Sequence, residues 1–205
     1  MQVSNEIIAR CCAAVNLSEI FSSSVDKVSA TLQESIDAGT AWKALYLRTA
    51  TAVTRRSPKP WDFELAPMFA HVDAFMQRCT DLLEVCTAQL QFASQRPLPT
   101  FGGVRGSAIK QSIDEIRSVF RERVRALATC PYNILDVQNT RWHDDFNAFK
   151  AAIKDLEELL IKATDTALES VSCLKDHIML VESLQVRLCL QLHCLLHAPC
   201  LCSAR

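Results

Sequence analysis

The chain has 205 residues, of which 49% are hydrophobic, and its 22 Lys+Arg against 23 Asp+Glu leave a net charge of −1. That balance excludes a disordered chain, which buries too little apolar surface, and it supplies no bulk positive field for gripping nucleic acid. Only 4 Gly and 7 Pro punctuate the chain, too few for an all-β domain built on many turns, so a helical protein long enough to bury a real core remains.

From Met1 to about Ala38, the apolar positions Ile7, Ile8, Val15, Leu17, Ile20, Val25, Val28, Leu32 and Ile36 recur at helical spacing. The Ser22-Ser23-Ser24 run offers a serine N-cap ahead of Val25. Gly39 is expected to end this helix in a left-handed C′ conformation. A short helix is expected to follow, with Trp42, Leu45, Tyr46 and Val53 on one side. It stops at Ser57-Pro58-Lys59-Pro60, because proline lacks an amide donor and restricts the residue before it.

The clearest helix starts near Pro67. Met68, Val72, Phe75, Cys79, Leu82 and Cys86 alternate spacings of four and three, a heptad seam that puts every one of them on one stripe. It closes around Gln91-Phe92, before the Arg96-Pro97-Leu98-Pro99 break and the Phe101-Gly102-Gly103-Val104-Arg105-Gly106 loop. A further helix is expected over about Ser107 to Thr129, with Ile109, Ile113, Ile116, Phe120, Val124 and Leu127 aligned. Cys130-Pro131-Tyr132-Asn133 breaks it. The last long helix starts near Asn139 and aligns Trp142, Phe146, Phe149, Ile153, Leu156, Leu160, Ala163 and Ala167, a phase that Val171, Leu174, Ile178 and Val181 can extend. The fold class is therefore all-α, an elongated bundle of long antiparallel amphipathic helices with coiled-coil-like seams.

Chemistry is hard to find. The glycines before Ser107 lack the GxxxxGK[ST] phosphate loop and any preceding strand, so they read as an interhelical turn. Asp144-Asp145 and Glu157-Glu158 lie opposite the apolar stripe and read as solvated rather than as an acid/base pair. His71 and His143 read as surface or flank residues. No catalytic residue is assigned and no cofactor is implied.

Ten cysteines are the oddity. With no basic n-region or apolar h-region at Met1-Gln2-Val3-Ser4-Asn5-Glu6, no secretory leader is visible, and most cysteines read as reduced thiols behaving as small hydrophobes. Four of them, Cys189, Cys194, Cys200 and Cys202, crowd the end beside His193 and His197. A zinc site there lacks two separated CxxC knuckles, and the apolar run from Leu184 to Leu201 is interrupted by Gln185, Arg187, Gln191, His193, His197 and Pro199, too often for a membrane span. No acidic residue follows Glu182. The expected division is thus a helical region over 1–184 and an atypical Cys/His/Leu-rich terminus over 185–205 that is foreign to the fold, as intron read-through or a frameshift would produce.

Several residues in order go beyond a generic bundle: Trp42-Lys43-Ala44-Leu45-Tyr46, Pro60-Trp61-Asp62-Phe63, Met68-Phe69-Ala70, Asp73-Ala74-Phe75, Gln77 through Cys86, Gln91-Phe92, Phe101-Gly102-Gly103 and Phe146-Asn147-Ala148-Phe149. Together they resemble the N-terminal tail region of dynein heavy chains, nearer to axonemal than to cytoplasmic members, over a span ending near Leu184. The resemblance implies a non-catalytic assembly scaffold within a microtubule-based motor complex of a cilium or flagellum. Its implied partners are dynein intermediate chains, light chains and other heavy-chain tails. The ATPase ring and the microtubule-binding stalk lie elsewhere in such chains, so neither ATP nor microtubule contact is expected here, nor nucleic acid or membrane. A free-standing spectrin-like adaptor or tether is the alternative, and a Cys/His zinc protein a third.

The residues expected to serve partner contact or packing are Trp42, Tyr46, Trp61, Phe63, Phe69, Phe75, Arg78, Phe101, Phe146 and Phe149. Trp61 and Phe63 follow a proline break and can plug the entry of a helix, with Asp62 able to cap it. Phe101 sits at a sharp reversal. Arg78 falls off the seam and is expected to be free for a salt bridge or a partner. An isolated segment of this kind exposes seams that neighbours would cover, so self-association is expected.

Overall fold

The computed structural model describes residues 2–21, 25–56, 64–92 and 103–170, with Leu174 and Ile178. All regular structure among them is helical: α1 (Gln2–Ala14), α2 (Leu17–Ile20), α3 (Val25–Arg56), α4 (Leu65–Phe92), α5 (Gly103–Ala128) and α6 (Arg141–Ser170). The chain divides into two compact units, one of residues 1–86 with 124–149, the other of residues 87–123 with 150–205.

The first unit is built on the seams of α3 and α4. Along α3, Val25, Val28, Leu32, Ser35 and Gly39 are buried at steps of three and four, which keeps one stripe inward. Ser35 pays no penalty for burial because its hydroxyl donates to the Thr31 carbonyl at 2.8 Å. Along α4, Val72, Phe75, Cys79, Leu82 and Cys86 are buried as the heptad spacing anticipates, Met68 is half-buried, and Phe69 and Val85 beside the seam are buried as well. α2 is opened by Asn16, whose side chain accepts from the Ser18 amide at 3.2 Å.

Gly39 does not end a helix; α3 runs straight through it to Arg56. The reason is a close approach. A Cβ at Gly39 would lie 2.6 Å from Met76 Sδ, 2.8 Å from Met76 Cγ and 3.3 Å from Val72 Cγ1. Glycine is required here by the neighbouring helix, not by a left-handed backbone, and the helix tolerates its cost of about 1 kcal/mol relative to alanine. The short helix expected after Gly39 is the second half of α3.

The second unit packs the end of α4 with most of α5 and α6. Phe92 stacks on Phe120 at 4.9 Å between ring centroids and 20° between planes. Gln91 donates to Glu157 at 3.3 Å. Ile109 and Ile113 of α5 bury against Ala167 of α6, with Ala163 and Leu168 packed beside them. All six apolar positions expected on α5 are buried. Its helix starts earlier than expected: Gly103 to Gly106 form its first turn rather than a loop. On α6 the seam holds at Trp142, Phe146, Phe149, Leu156, Leu160 and Ala167, Leu174 and Ile178 are exposed, and Val171 and Val181 fall outside the described residues.

Candidate functional site

Two clusters of the first unit gather half of the candidate residues. The first is aromatic. Trp42 and Tyr46 lie one turn apart on α3 with rings 5.9 Å apart at 63°. Tyr46 meets Phe69 of α4 edge-on at 5.5 Å and 90°, the geometry that ring quadrupoles favour. Lys43 ties the pair of helices twice: its ammonium sits 5.4 Å from the Phe69 centroid and 2.5 Å from Asp73 Oδ1. Trp42 Nε1 donates to the buried Ser4 Oγ of α1 at 3.2 Å, and His71 pairs with Asn5 at 3.1 Å. Three helices are thereby pinned at one place, with Trp42 and Tyr46 left half-buried.

The second cluster overturns the expectation for Arg78. This side chain is not free; it is only 7% exposed. Its guanidinium donates to the carbonyl of Ile134, to that of Asp136 at 3.2 Å and to that of Asn139 at 3.3 Å. The acceptors belong to the 129–140 loop, which repeats one device every three residues. Asn133, Asp136 and Asn139 each accept, through the side chain, from the amide two residues on, at 3.0 Å in every case. Backbone bonds Asp136 N to Asn133 O and Asn139 N to Asp136 O follow the same step. These Asx turns hold the backbone so that three carbonyls converge on one planar cation, a fit that arginine's fork makes and lysine's point charge does not.

Trp142, the second residue of α6, completes the arrangement. Its ring centroid lies 5.2 Å from the Arg78 guanidinium carbon, its Nε1 donates to Asp81 Oδ2 at 2.8 Å, and Phe146 stacks on it at 5.4 Å and 12°. Asp81 also accepts from Gln77 at 2.9 Å. Burial pulls the Arg78 pKa down, while Asp81 acts in the opposite direction. On the loop's other side, Tyr132 donates to Asp145 at 2.5 Å; burial first, then this hydrogen bond, pushes the phenol pKa up. The cluster is a joint with its polar groups satisfied: among the described residues no buried side-chain nitrogen or oxygen lacks a partner.

Phe75, Phe146 and Phe149 are buried core residues. Trp61, Phe63 and Phe101 lie outside the described residues, as do Asp62 and the Cys/His terminus. Among the described residues no group of three His, Cys, Asp or Glu side chains is placed to hold a metal ion, and no helix is long and apolar enough to cross a membrane. Asp144 and Glu158 are exposed as expected, while Asp145 and Glu157 serve as hydrogen-bond acceptors. Sequence reasoning passed over Phe92 and Phe120 as a pair, and passed over the three-residue Asx repeat, which is readable as Asn133, Asp136 and Asn139.

The second unit carries an open groove. α5 supplies Ser112, Glu115, Ile116 and Val119, and α6 supplies Leu156, Leu159, Lys162, Ala163 and Thr166, around about 400 Å³. Its floor is apolar and its rim mixes both charges. Leu159 in its lining is 50% exposed, and Ile161, on another face of α6, is 59% exposed.

Comparison with known proteins places the chain. The family described as "Dynein heavy chain, N-terminal region 1" matches residues 1–197. The dynein-1-beta heavy chain of the flagellar inner arm I1 complex of Chlamydomonas reinhardtii is 51% identical over 184 residues, 90% of this chain and 4% of that protein. Human dynein axonemal heavy chain 2 is 36% identical over 113 residues, 52% of this chain and 3% of that one. The dynein beta chain of the Chlamydomonas reinhardtii flagellar outer arm is 24% identical over 188 residues, 90% of this chain and 4% of that one. The chain thus spans only 3–4% of the length of these relatives.

Proposed function

Because the chain belongs to the dynein heavy chain family, as part of the N-terminal tail of an axonemal member, we propose that it is a non-catalytic assembly scaffold in a motor complex of the ciliary or flagellar axoneme. In this reading it docks dynein intermediate chains, light chains or other heavy-chain tails through helix faces. Apolar seams supply affinity and charged flanks supply register. Motor chemistry belongs to other parts of the long heavy chain.

The observation that carries the reading is where the chain's hydrophobic surface lies. The clusters that bring aromatic, cationic and carboxylate side chains together are used up in internal packing. Open apolar surface lies instead along helices, in the α5–α6 groove with Leu159, at Ile161 on another face of α6 and on the second half of α3 with Leu45, Leu47 and Val53. Helix faces of that kind take other helices rather than small substrates.

The test is co-purification of the chain with an axonemal dynein intermediate chain or a second heavy-chain tail. Stoichiometric recovery with either is expected. A well-folded chain, by circular dichroism, that recovers neither overturns the proposal.

A further inference from the structure

We infer that the second half of α3 is a docking strip for an acidic amphipathic helix of a partner protein; the inference rests on the scaffold reading and names the chemistry of one of its partners. The seam of α3 does not stop where its cover stops. Val25, Val28, Leu32, Ser35 and Gly39 are buried, and the same steps continue through Trp42, Tyr46, Thr49 and Val53. α4 covers this line in antiparallel register, with Gly39 against Met76, Lys43 against Asp73 and Tyr46 against Phe69. That register reaches the first residue of α4, Leu65, near Ala50. From Gly39 onward no residue after it on α3 is buried, and Leu45 and Val53 are 48% and 37% exposed.

Charge says what fits there. Between Asp37 and Asp62 the sequence has no acidic residue and five basic ones, Lys43, Arg48, Arg55, Arg56 and Lys59. Lys43 is engaged with Asp73. Arg48, Arg55 and Arg56 have no carboxylate partner among the described residues. On a helical projection Leu45, Thr49, Ala52 and Val53 form one stripe, with Arg48 and Arg55 along its edge and Arg56 closing it in the last turn. An apolar stripe flanked by one sign of charge selects a helix whose own flank carries the other sign, as flanking positions do in coiled coils.

Local propensity points the same way. Of the ten residues from Leu47 to Arg56, four are β-branched: Thr49, Thr51, Val53 and Thr54. Such residues lose side-chain freedom in a helix, and helical stability in proteins comes mostly from packing of one face. Arginines in the last turn favour the helix dipole, but that accounts for Arg55 and Arg56 and not for Arg48 or the uncovered stripe.

The experiment titrates the full 205-residue chain with two fluorescent helical peptides about three heptads long. Both carry the same leucine seam; one is flanked by glutamates, the other by lysines. The glutamate peptide is expected to bind about tenfold or more tightly than its twin, the preference shrinking with added salt. A variant carrying Arg48→Glu, Arg55→Glu and Arg56→Glu is expected to reverse the preference while keeping its circular dichroism. Equal binding of the two peptides, binding of neither, or a preference untouched by the reversal overturns the inference. So does self-association that the triple variant abolishes, which would make a second copy the occupant. Peptide binding that needs Trp61→Ser and Phe63→Ser would hand the strip to the chain's own 57–63 segment, and also overturns it. Co-purification with native subunits through another face can succeed while this test fails, so the two readings stand or fall separately.

Discussion

The joint around Arg78 and the second half of α3 use the same materials, arginines beside aromatic and aliphatic side chains, to opposite ends. At the joint every donor of consequence has an acceptor: the guanidinium has three carbonyls, the indole has Asp81, and the loop amides have Asn133, Asp136 and Asn139. On α3 the arginines face solvent beside an uncovered apolar stripe. An arginine's role is thus decided by what the rest of the fold offers it. Convergent carbonyls consume the cation and make it structural, whereas an acid-free helix end leaves it available.

The largest expected effects lie at the joint. Trp142→Ala removes a ring that is 1% exposed together with the Asp81 hydrogen bond, and should cost about 3–5 kcal/mol in urea unfolding. Arg78→Ala strands three carbonyls and should cost about 3 kcal/mol; Arg78→Lys, which keeps the charge but not the fork, should recover less than half of that. If Arg78→Ala were neutral, the closed half of the comparison would fail. Gly39→Ala comes next, at about 1–2 kcal/mol, since overpacking against Met76 outweighs the gain in helix propensity. Met76→Ala in the same chain should return part of that loss, and a non-additive double-mutant cycle is the check.

A pH effect sharpens the comparison at alkaline values. Burial, with smaller contributions from Cys11 and Cys12, pushes the Cys79 thiol up to about 12 from an ordinary value near 9. Since the folded value is the higher one, the contribution is whole below about pH 9 and is lost as pH rises toward 12. The wild-type urea midpoint should fall more steeply over that window than the midpoint of Cys79→Ala. Smallest of all are changes on the open strip. Val53→Ser or Arg48→Glu should move stability by no more than about 0.5 kcal/mol, and a larger loss would show that the strip is packed after all.

Much of the fold was legible because heptad spacing is a direct consequence of helix geometry. Val72, Phe75, Cys79, Leu82 and Cys86, and the six apolar positions of α5, all bury as their spacing requires. Two residues misled for physical reasons. Gly39 carries the usual mark of a helix end, but a glycine forced by a neighbouring helix looks identical until that helix is placed. Arg78 sits off the heptad seam, where charges normally meet water, and its acceptors lie more than fifty residues away in a loop whose carbonyls leave no trace in side-chain pattern. The aromatic candidates were sorted no better. Phe75 and Phe149 are core, Tyr46 and Phe69 bridge helices, and only tertiary context separates these fates.

The contrast between a closed joint and an open strip is tested most directly by amide hydrogen exchange on the intact chain. Amides of residues 51–56 on α3 should exchange far faster than those of residues 75–85 on α4, which share the joint and the core, and should slow when the glutamate-flanked peptide is added. Equal protection of the two segments in the free chain would contradict the account, because it would mean that the second half of α3 already has its cover.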